Sequence, residues 1–268
     1  MRHAAQTTPA PRGARADGRD PPTTRRSTGA PDRAPMQLHT LDVVKTARYG
    51  VLAGPGPVCE VWVACHGYGQ LAAYFGRHFR GVVRPGRLVV VPEAASRFYI
   101  DGAGGGGTYR RVGASWMTRE IREADIGDIQ RQLDDTLVAA CAAHGADPAA
   151  VRLVGFGFSQ GTATVTRWLA HSPLVAARAR RADALVLWGG ALPHDLDLAA
   201  HRGWLADARP LLVAGDADGY ATPARVMEQE ARLRDAGIPH ATRGFAGGHK
   251  IQDRLLAEIG DAVWPADA

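Results

Sequence analysis

Two kinds of hydrophobic pattern alternate along residues 36–268. Short apolar runs such as VCEVWVACH (58–66) and AVRLVGF (150–156) predict buried β-strands. Between such runs lie longer segments whose apolar residues recur every three to four positions, which predicts amphipathic helices. The longest is 118–145, with Thr118 as a plausible N-cap. This strand–helix alternation predicts one α/β domain with a doubly wound, mostly parallel sheet and helices on both faces.

The other predicted elements follow the same alternation. Strands are expected at 38–44, 47–53, 87–94, 182–190 and 240–248, and a strand with the loop after it at 209–219. Helices are expected at 72–83, 160–172, 222–237 and 249–263. The first two strands are expected to form a hairpin. Residues 93–118 are expected to form a long loop, since they contain a run of four glycines.

Residues 1–35 have a different composition. They are rich in Pro, Arg, Thr, Ala and Asp and have almost no large apolar side chains, which predicts disorder. One hypothesis is that translation starts at Met36, where the composition changes. The tail holds seven arginines and three aspartates, so most of the net charge of +5 lies there. A tether to an acidic partner is the alternative role for the tail.

Charge and hydropathy in residues 36–268 argue against several classes of partner. These residues carry no basic stripe with interleaved aromatics, so no nucleic-acid partner is expected. No apolar run reaches the roughly 18 residues of a membrane span, so no integral membrane segment is expected. Three widely spaced cysteines without a CxxC motif predict reduced, buried thiols in a cytoplasmic protein. No spacing typical of metal ligands occurs, so neither a metal nor a cofactor is predicted.

One serine lies between two glycines where a predicted strand meets a predicted helix. Ser159 is one of only five serines and stands in Gly157-Phe158-Ser159-Gln160-Gly161. A serine hydroxyl that attacks a carbonyl must project from the sheet edge, and glycines on either side relieve the crowding of the sharp turn. The helix that follows presents free backbone N–H groups to developing negative charge. The pattern predicts a nucleophile elbow; an ordinary turn serine is the alternative.

A second loop follows the predicted strand at 58–66. His66-Gly67 and the small-residue turn after them are typical of an oxyanion loop. The backbone N–H of Tyr68 is therefore expected to join that of Gln160 around an oxyanion. His66 itself is expected to be structural, and a simple glycine-rich turn is the alternative for the whole loop.

Two further loops supply acidic residues and a histidine. Asp216 and Asp218 follow one predicted strand, and His249 follows the last. Loops at the carboxyl ends of parallel strands share one sheet edge, so these side chains can meet Ser159 there. We favour Asp218 as the acid that orients the histidine, and we expect Asp216 to cap a helix or line a turn. His240 precedes its strand and is expected at the opposite edge.

Together these motifs resemble the phospholipase/carboxylesterase group of α/β-hydrolases, which includes the acyl-protein thioesterases. The resemblance covers residues 58–262 and rests on HGYGQ (66–70), GFSQG (157–161), WGGALP (188–193), GDADGYATP (215–223) and GGH (247–249). GFSQG is the most specific piece, because that group characteristically has glutamine after the nucleophile. The resemblance implies an α/β-hydrolase fold and no cofactor, with these roles: nucleophile Ser159, base His249, acid Asp218, and oxyanion donors Tyr68 and Gln160.

The function expected from this resemblance is hydrolysis of a carboxylic ester or thioester through an acyl-enzyme. The substrate would be a small-molecule ester or acyl compound. A lysophospholipase, an acyl-protein thioesterase or a serine peptidase on the same scaffold are alternatives, and a catalytically silent binding module is the non-enzymatic one. The sequence predicts no particular oligomeric state.

Residues 97–118 do not resemble the corresponding loop of the thioesterases. Long loops at a catalytic edge often carry the substrate pocket. We therefore expect an acyl or aromatic pocket lined by Phe98, Tyr99, Trp116, Met117 and Leu192. Anchoring of the loop is the alternative role for the first four. The GAGGGG run (102–107) lacks the Gly-Lys-Ser/Thr of a phosphate-binding loop, so a flexible loop is the preferred interpretation.

Overall fold

A computed structural model describes residues 36–101 and 110–263 of the 268-residue chain. In chain order its elements are β1 (Arg48–Ala53), β2 (Glu60–Cys65), α1 (Ala72–Phe75), β3 (Arg87–Glu93), β4 (Ser96–Tyr99), β5 (Val112–Ser115), α2 (Arg122–Ala143), β6 (Arg152–Phe158), α3 (Gln160–His171), α4 (Pro173–Ala176), β7 (Ala184–Trp188), α5 (Arg202–Ala208), β8 (Leu211–Gly215), α6 (Pro223–Asp235), β9 (Ala241–Phe245) and α7 (Asp253–Val263). A 3₁₀ helix, Gly76–Gly81, follows α1.

Seven strands form one sheet in the order β1-β3-β2-β6-β7-β8-β9. All neighbouring pairs are parallel except β1 and β3, which are antiparallel. The predicted doubly wound, mostly parallel α/β sheet is therefore confirmed. The parallel order also places the carboxyl ends of β2, β6, β7, β8 and β9 along one edge, where ligands bind in such sheets.

Both faces of the sheet are covered, which explains the uninterrupted apolar runs of the central strands. In β2, Val61 and Val63 face one core, which α2, α3 and α6 help to fill. Trp62 and Ala64 face a second core, which includes side chains of α1 and α7. Successive residues of a strand point to opposite faces, so a strand buried on both faces needs apolar residues at nearly every position.

In the first part of the chain, one predicted strand is wrong and one predicted helix differs in type. Residues 38–44 form no strand, and β1 pairs with β3 rather than with a preceding strand. Leu38, Leu41 and Val43 are exposed, so these apolar residues are not buried against a sheet. The helix predicted over 72–83 consists of the short helix α1 followed by the 3₁₀ helix. Gly76 and Gly81 lie in this segment, and glycine is poorly tolerated in the interior of an α-helix.

The predicted loop at 93–118 contains regular structure. β4 and β5 pair as a two-stranded antiparallel sheet outside the main one. The glycine run (102–107) lies within 102–109, outside the described residues. Helix α2 begins at Arg122 rather than at Thr118, whose hydroxyl instead accepts a hydrogen bond from the Glu120 amide at 3.2 Å. Gly145 follows the helix with φ +65°, as a terminating glycine should.

The prediction of buried thiols is correct for two of the three cysteines. Cys65 and Cys141 are buried free thiols, as predicted, but Cys59 is exposed because it lies in the turn before β2. Among the helices of the described ranges, none combines the length and the apolar character that crossing a membrane requires. Residues 1–35, where the disordered tail was predicted, lie outside the described residues.

Candidate active site

Ser159 occupies a strained turn between β6 and α3. Its backbone has φ 53° and ψ −117°, one of three positive φ values at non-glycine residues in the described part of the chain. Its amide is held by the Trp188 carbonyl at 2.9 Å, which ties the turn to β7. A residue other than glycine adopts such a backbone only when its surroundings enforce it, and strain of this kind clusters at functional sites.

The flanking glycines are required by close backbone contacts. A Cβ atom at Gly161 would lie 2.0 Å from the Cys65 carbonyl oxygen at the end of β2. A Cβ atom at Gly157 would lie 2.4 Å from the Gly161 carbonyl oxygen. Both distances are far below any real carbon–oxygen contact, and both involve backbone atoms that cannot rotate away. The two glycines therefore let α3 pack directly against the strands that carry the site.

Replacing Gly161 with alanine is expected to destabilise the protein by about 3 kcal/mol or more, since the clash forces the backbone of β2 and α3 apart. Urea unfolding would measure the loss. Gly203→Ala is the matched control, because a Cβ atom there meets nothing within 4 Å and alanine favours helix α5. Equal stabilities of the two variants would contradict the close packing described for the turn.

His249 and Asp218 are in direct contact. His249 Nδ1 lies 2.8 Å from Asp218 Oδ2. The other oxygen of Asp218, Oδ1, accepts hydrogen bonds from the amides of Tyr220 at 2.7 Å and Ala221 at 2.8 Å. The His249 ring also packs between the rings of Phe158 and Tyr220, with centroids 4.9 and 4.7 Å away. The imidazole is thus fixed by one polar and two aromatic contacts beside the Ser159 turn.

The environment of Asp218 keeps its carboxylate charged. Burial favours the neutral acid, but the hydrogen bond from His249 and those from the Ala221 and Tyr220 amides outweigh it, so the pKa of Asp218 lies below its usual range.

The second acidic residue of this loop, Asp216, has a different position. Asp216 Oδ1 accepts from the Gly247 amide at 2.8 Å and so braces the loop that carries His249. His240 lies just before β9, at the other end of that strand from His249.

The loop after β2 packs against Ser159. A Cβ atom at Gly67 would lie 3.2 Å from Ser159 Cβ, so this loop approaches the serine closely. The Gly67 amide is already used by Gln70 Oε1 at 2.7 Å. Among the hydrogen bonds of the described residues, none uses the amide of Tyr68 or that of Gln160, the first residue of α3. Two backbone donors are therefore unused, one in the loop that packs against Ser159 and one in the residue that follows it.

His66 is part of the scaffold of this loop. It is buried, its Nε2 accepts from the Ala94 amide at 3.1 Å, and its Nδ1 lies 2.8 Å from the Gly67 carbonyl oxygen. These contacts require a neutral ring that carries its proton on Nδ1. Burial lowers the pKa of His66, which keeps the ring neutral. The contacts agree with the structural role expected for it.

The Gln160 side chain connects the nucleophile turn to the segment after β5. Its Oε1 accepts from the Trp116 amide at 3.1 Å, and its Nε2 donates to the Met117 carbonyl at 2.9 Å. Trp116 is buried and its indole N–H donates to the His66 carbonyl at 2.8 Å. One chain of contacts therefore runs from Gln160 through Trp116 to the loop of His66. Sequence reasoning identified only the Gln160 amide, because these contacts join residues more than 40 positions apart.

A pocket of about 390 Å³ opens beside Ser159. It is bounded by the loop after β7, the carboxyl end of β8 and helix α6. Leu192 lines it, as predicted from the sequence, but Phe98, Tyr99, Trp116 and Met117 do not. Trp116 and Met117 are engaged in the contacts with Gln160, and Phe98 packs on the Tyr68 ring with centroids 5.1 Å apart. The α6 residues of the pocket were not anticipated, although a helix was predicted directly after Asp218.

A metal centre finds no support in the described residues. Within 36–101 and 110–263, no group of three or more His, Cys, Asp or Glu side chains is arranged so that it could hold a metal ion.

Comparisons with known proteins relate the chain to hydrolases by structure alone. No protein-family model matches the sequence, and a search of curated proteins finds no match. Among solved structures, esterase PE8 has a TM-score of 0.58 at 22% identity, over 82% of this chain and 100% of its own. Acyl-protein thioesterase 2 of Zea mays has 0.57 at 19% identity, over 81% and 98%. A Bacillus cereus carboxylesterase has 0.58 at 15% identity, over 81% and 95%. These similarities establish the predicted α/β-hydrolase fold.

Proposed function

We propose that this α/β-hydrolase-fold protein is a serine hydrolase of carboxylic esters or thioesters. The observation that carries the proposal is the 2.8 Å contact between Asp218 and His249 beside a serine on a strained strand-to-helix turn. A carboxylate, an imidazole and a half-buried hydroxyl in this chain order and setting have a well-defined chemistry, in which they act as acid, base and nucleophile. The fold shared with esterases and a thioesterase supports the same reaction class.

In the proposed first step, Ser159 Oγ attacks the carbonyl carbon of the substrate as its proton passes to His249 Nε2. Since His249 Nδ1 faces Asp218, Nε2 is the nitrogen available for this transfer. The negative charge that develops on the carbonyl oxygen is stabilised by the Tyr68 and Gln160 amides. Each such donor typically contributes about 3–4 kcal/mol to lowering the barrier.

The intermediate then collapses to an acyl-enzyme. The bond between the carbonyl carbon and the alcohol or thiol breaks, and His249 returns its proton to the leaving group. Water next attacks the acyl carbon and gives a proton to His249. The bond between the acyl carbon and Ser159 Oγ then breaks, His249 passes that proton to Oγ, and the carboxylic acid is released. Asp218 stays ionised throughout, which its lowered pKa favours, and it stabilises the cationic form of His249 in both steps.

Hydrolysis of a series of p-nitrophenyl esters, from acetate to octanoate, tests the proposal. Saturable release of p-nitrophenol is expected, in proportion to enzyme concentration and with a rate that depends on acyl length, because the pocket beside Ser159 has finite size. An acyl-CoA series should be run in parallel to compare thioesters. A folded protein that turns over no member of either series would instead support a catalytically silent binding module.

A further inference from the structure

The pocket beside Ser159 has an apolar side and a charged side. The apolar residues come mainly from β7, β8 and the loop after β7, and include Leu187, Leu192, Leu212, Val213 and Val226. The ionisable and amide side chains come mainly from α6, and are His194, Arg225, Glu228, Gln229 and Arg232. Charged side chains are not expected in a pocket that binds only a hydrocarbon chain, because an apolar ligand would displace their hydrating water and offer no hydrogen bonds in return.

Arg232 is the most informative of these residues. It is partly buried, and its guanidinium donates to the carbonyls of Leu192 at 3.3 Å and Pro193 at 2.9 Å and to Gln229 Oε1 at 3.0 Å. All three acceptors are neutral. Within the described ranges no carboxylate lies within 4.0 Å of it, so its positive charge has no ion-pair partner. Three of its five N–H donors are used, which leaves donors for a ligand.

The other charges on this face do not cancel that of Arg232. Arg225 lies two helical turns earlier, about 10 Å along the axis, and its guanidinium donates to the Tyr220 carbonyl at 2.7 Å. Glu228 lies between the two arginines but is exposed, so water and salt screen its charge more strongly than that of Arg232. The charged face therefore presents two cations and one exposed carboxylate, and the partly buried cation, Arg232, lies at the end of α6 farther from Tyr220.

We propose that the pocket accepts acyl groups that end in a carboxylate, and that Arg232 binds this carboxylate. The substrates would be half-esters or half-thioesters of dicarboxylic acids, and their methylene groups would lie against the apolar side of the pocket. A carboxylate gains charge-assisted hydrogen bonds from a guanidinium, which are stronger than those between neutral groups. This inference rests on the proposed hydrolase function and names the substrate class of the same site.

Two esters with the same six-carbon acyl chain test the proposal in the full-length protein. Ethyl hexanoate ends in a methyl group, and monoethyl adipate ends in a carboxylate that is ionised at pH 7.5. Acid release is followed by pH-stat titration. The wild type is expected to have the higher kcat/KM for monoethyl adipate. Arg232→Gln should reduce kcat/KM for the adipate about tenfold or more and change that for ethyl hexanoate less than about threefold.

Two further variants separate charge recognition from scaffolding. Arg234→Gln removes a charge from the same helix at an exposed position that does not line the pocket, so it should leave the preference unchanged. Arg232→Lys keeps the charge but not the fork of donors, and should retain part of the preference for the adipate. If Arg232 only held the loop of Leu192 and Pro193 in place, Arg232→Gln would impair both esters equally, which would overturn the inference.

The remaining outcomes are also distinguishable. A wild type that hydrolyses ethyl hexanoate faster than monoethyl adipate would overturn the inference and leave the proposed function intact. A wild type that hydrolyses neither ester, together with no turnover in the p-nitrophenyl and acyl-CoA series, would overturn the proposed function and this inference with it.

Discussion

Replacing Ser159 with alanine is expected to lower kcat on the best ester substrate by about 10⁶-fold, because the proposed acyl-enzyme cannot form without the Ser159 hydroxyl. The residual rate should come from substrate binding and the oxyanion donors alone. The fold should survive, since alanine at φ 53° and ψ −117° is strained much as serine is and no side-chain hydrogen bond of Ser159 holds the turn together in the described structure. Circular dichroism and thermal unfolding would check this alongside the kinetics.

The control for this variant is Ser96→Ala. Ser96 is exposed on β4 and does not line the pocket, so its replacement should leave kcat within about twofold of the wild type. A Ser159→Ala protein that kept more than a tenth of the wild-type kcat would show that another group is the nucleophile.

Asp218→Asn is expected to lower kcat by about 10⁴-fold with little effect on folding. Oδ1 of Asp218 accepts from two amides, so the asparagine side chain must keep its oxygen there and turn its NH₂ group toward His249. His249 Nδ1 then has to accept rather than donate, which places the ring proton on Nε2. That tautomer cannot take the proton of Ser159. KM should change much less than kcat, because Asp218 is not expected to touch the substrate.

Asp216→Asn is the matched control for the acid. Asp216 Oδ1 accepts from the Gly247 amide, and an asparagine oxygen can accept the same bond, so kcat should fall by less than about tenfold. The assignment of the acid would be wrong if Asp216→Asn proved more harmful than Asp218→Asn. Kinetics at several pH values would show whether either variant changes the ionisation that limits turnover.

The centre of the sheet could be predicted from sequence because β2, β6, β7 and β8 are short, strongly apolar and each followed by a helix. The wrong predictions fall where that signal is ambiguous. Residues 38–44 contain several apolar residues, as a strand would, but these side chains are exposed. β4 and β5 are four residues each, and only their mutual pairing identifies them as strands. Apolar residues in a short segment indicate a tendency toward a strand, but they do not show whether a pairing partner exists.

The positions of Ser159, Asp218 and His249 could be predicted because parallel strands bring the loops at their ends to one edge. Asp218 and His249 are in contact there, 31 positions apart in sequence. The pocket could not be predicted in the same way. Trp116 has the size and apolar character of a pocket residue, yet its indole N–H and its amide are both used to connect loops. Arg232 reaches the pocket only because α6 packs beside Leu192, and a single sequence does not show this.

The central claim is that Ser159 is a nucleophile activated by His249 and Asp218. Labelling with a fluorophosphonate probe, followed by peptide mass spectrometry, tests it most directly because the probe reacts with activated serines whatever the substrate. We predict one adduct, on Ser159, that is absent in Ser159→Ala and forms much more slowly in Asp218→Asn. A folded wild-type protein that gains no adduct, or gains it at one of the other four serines, would contradict the claim.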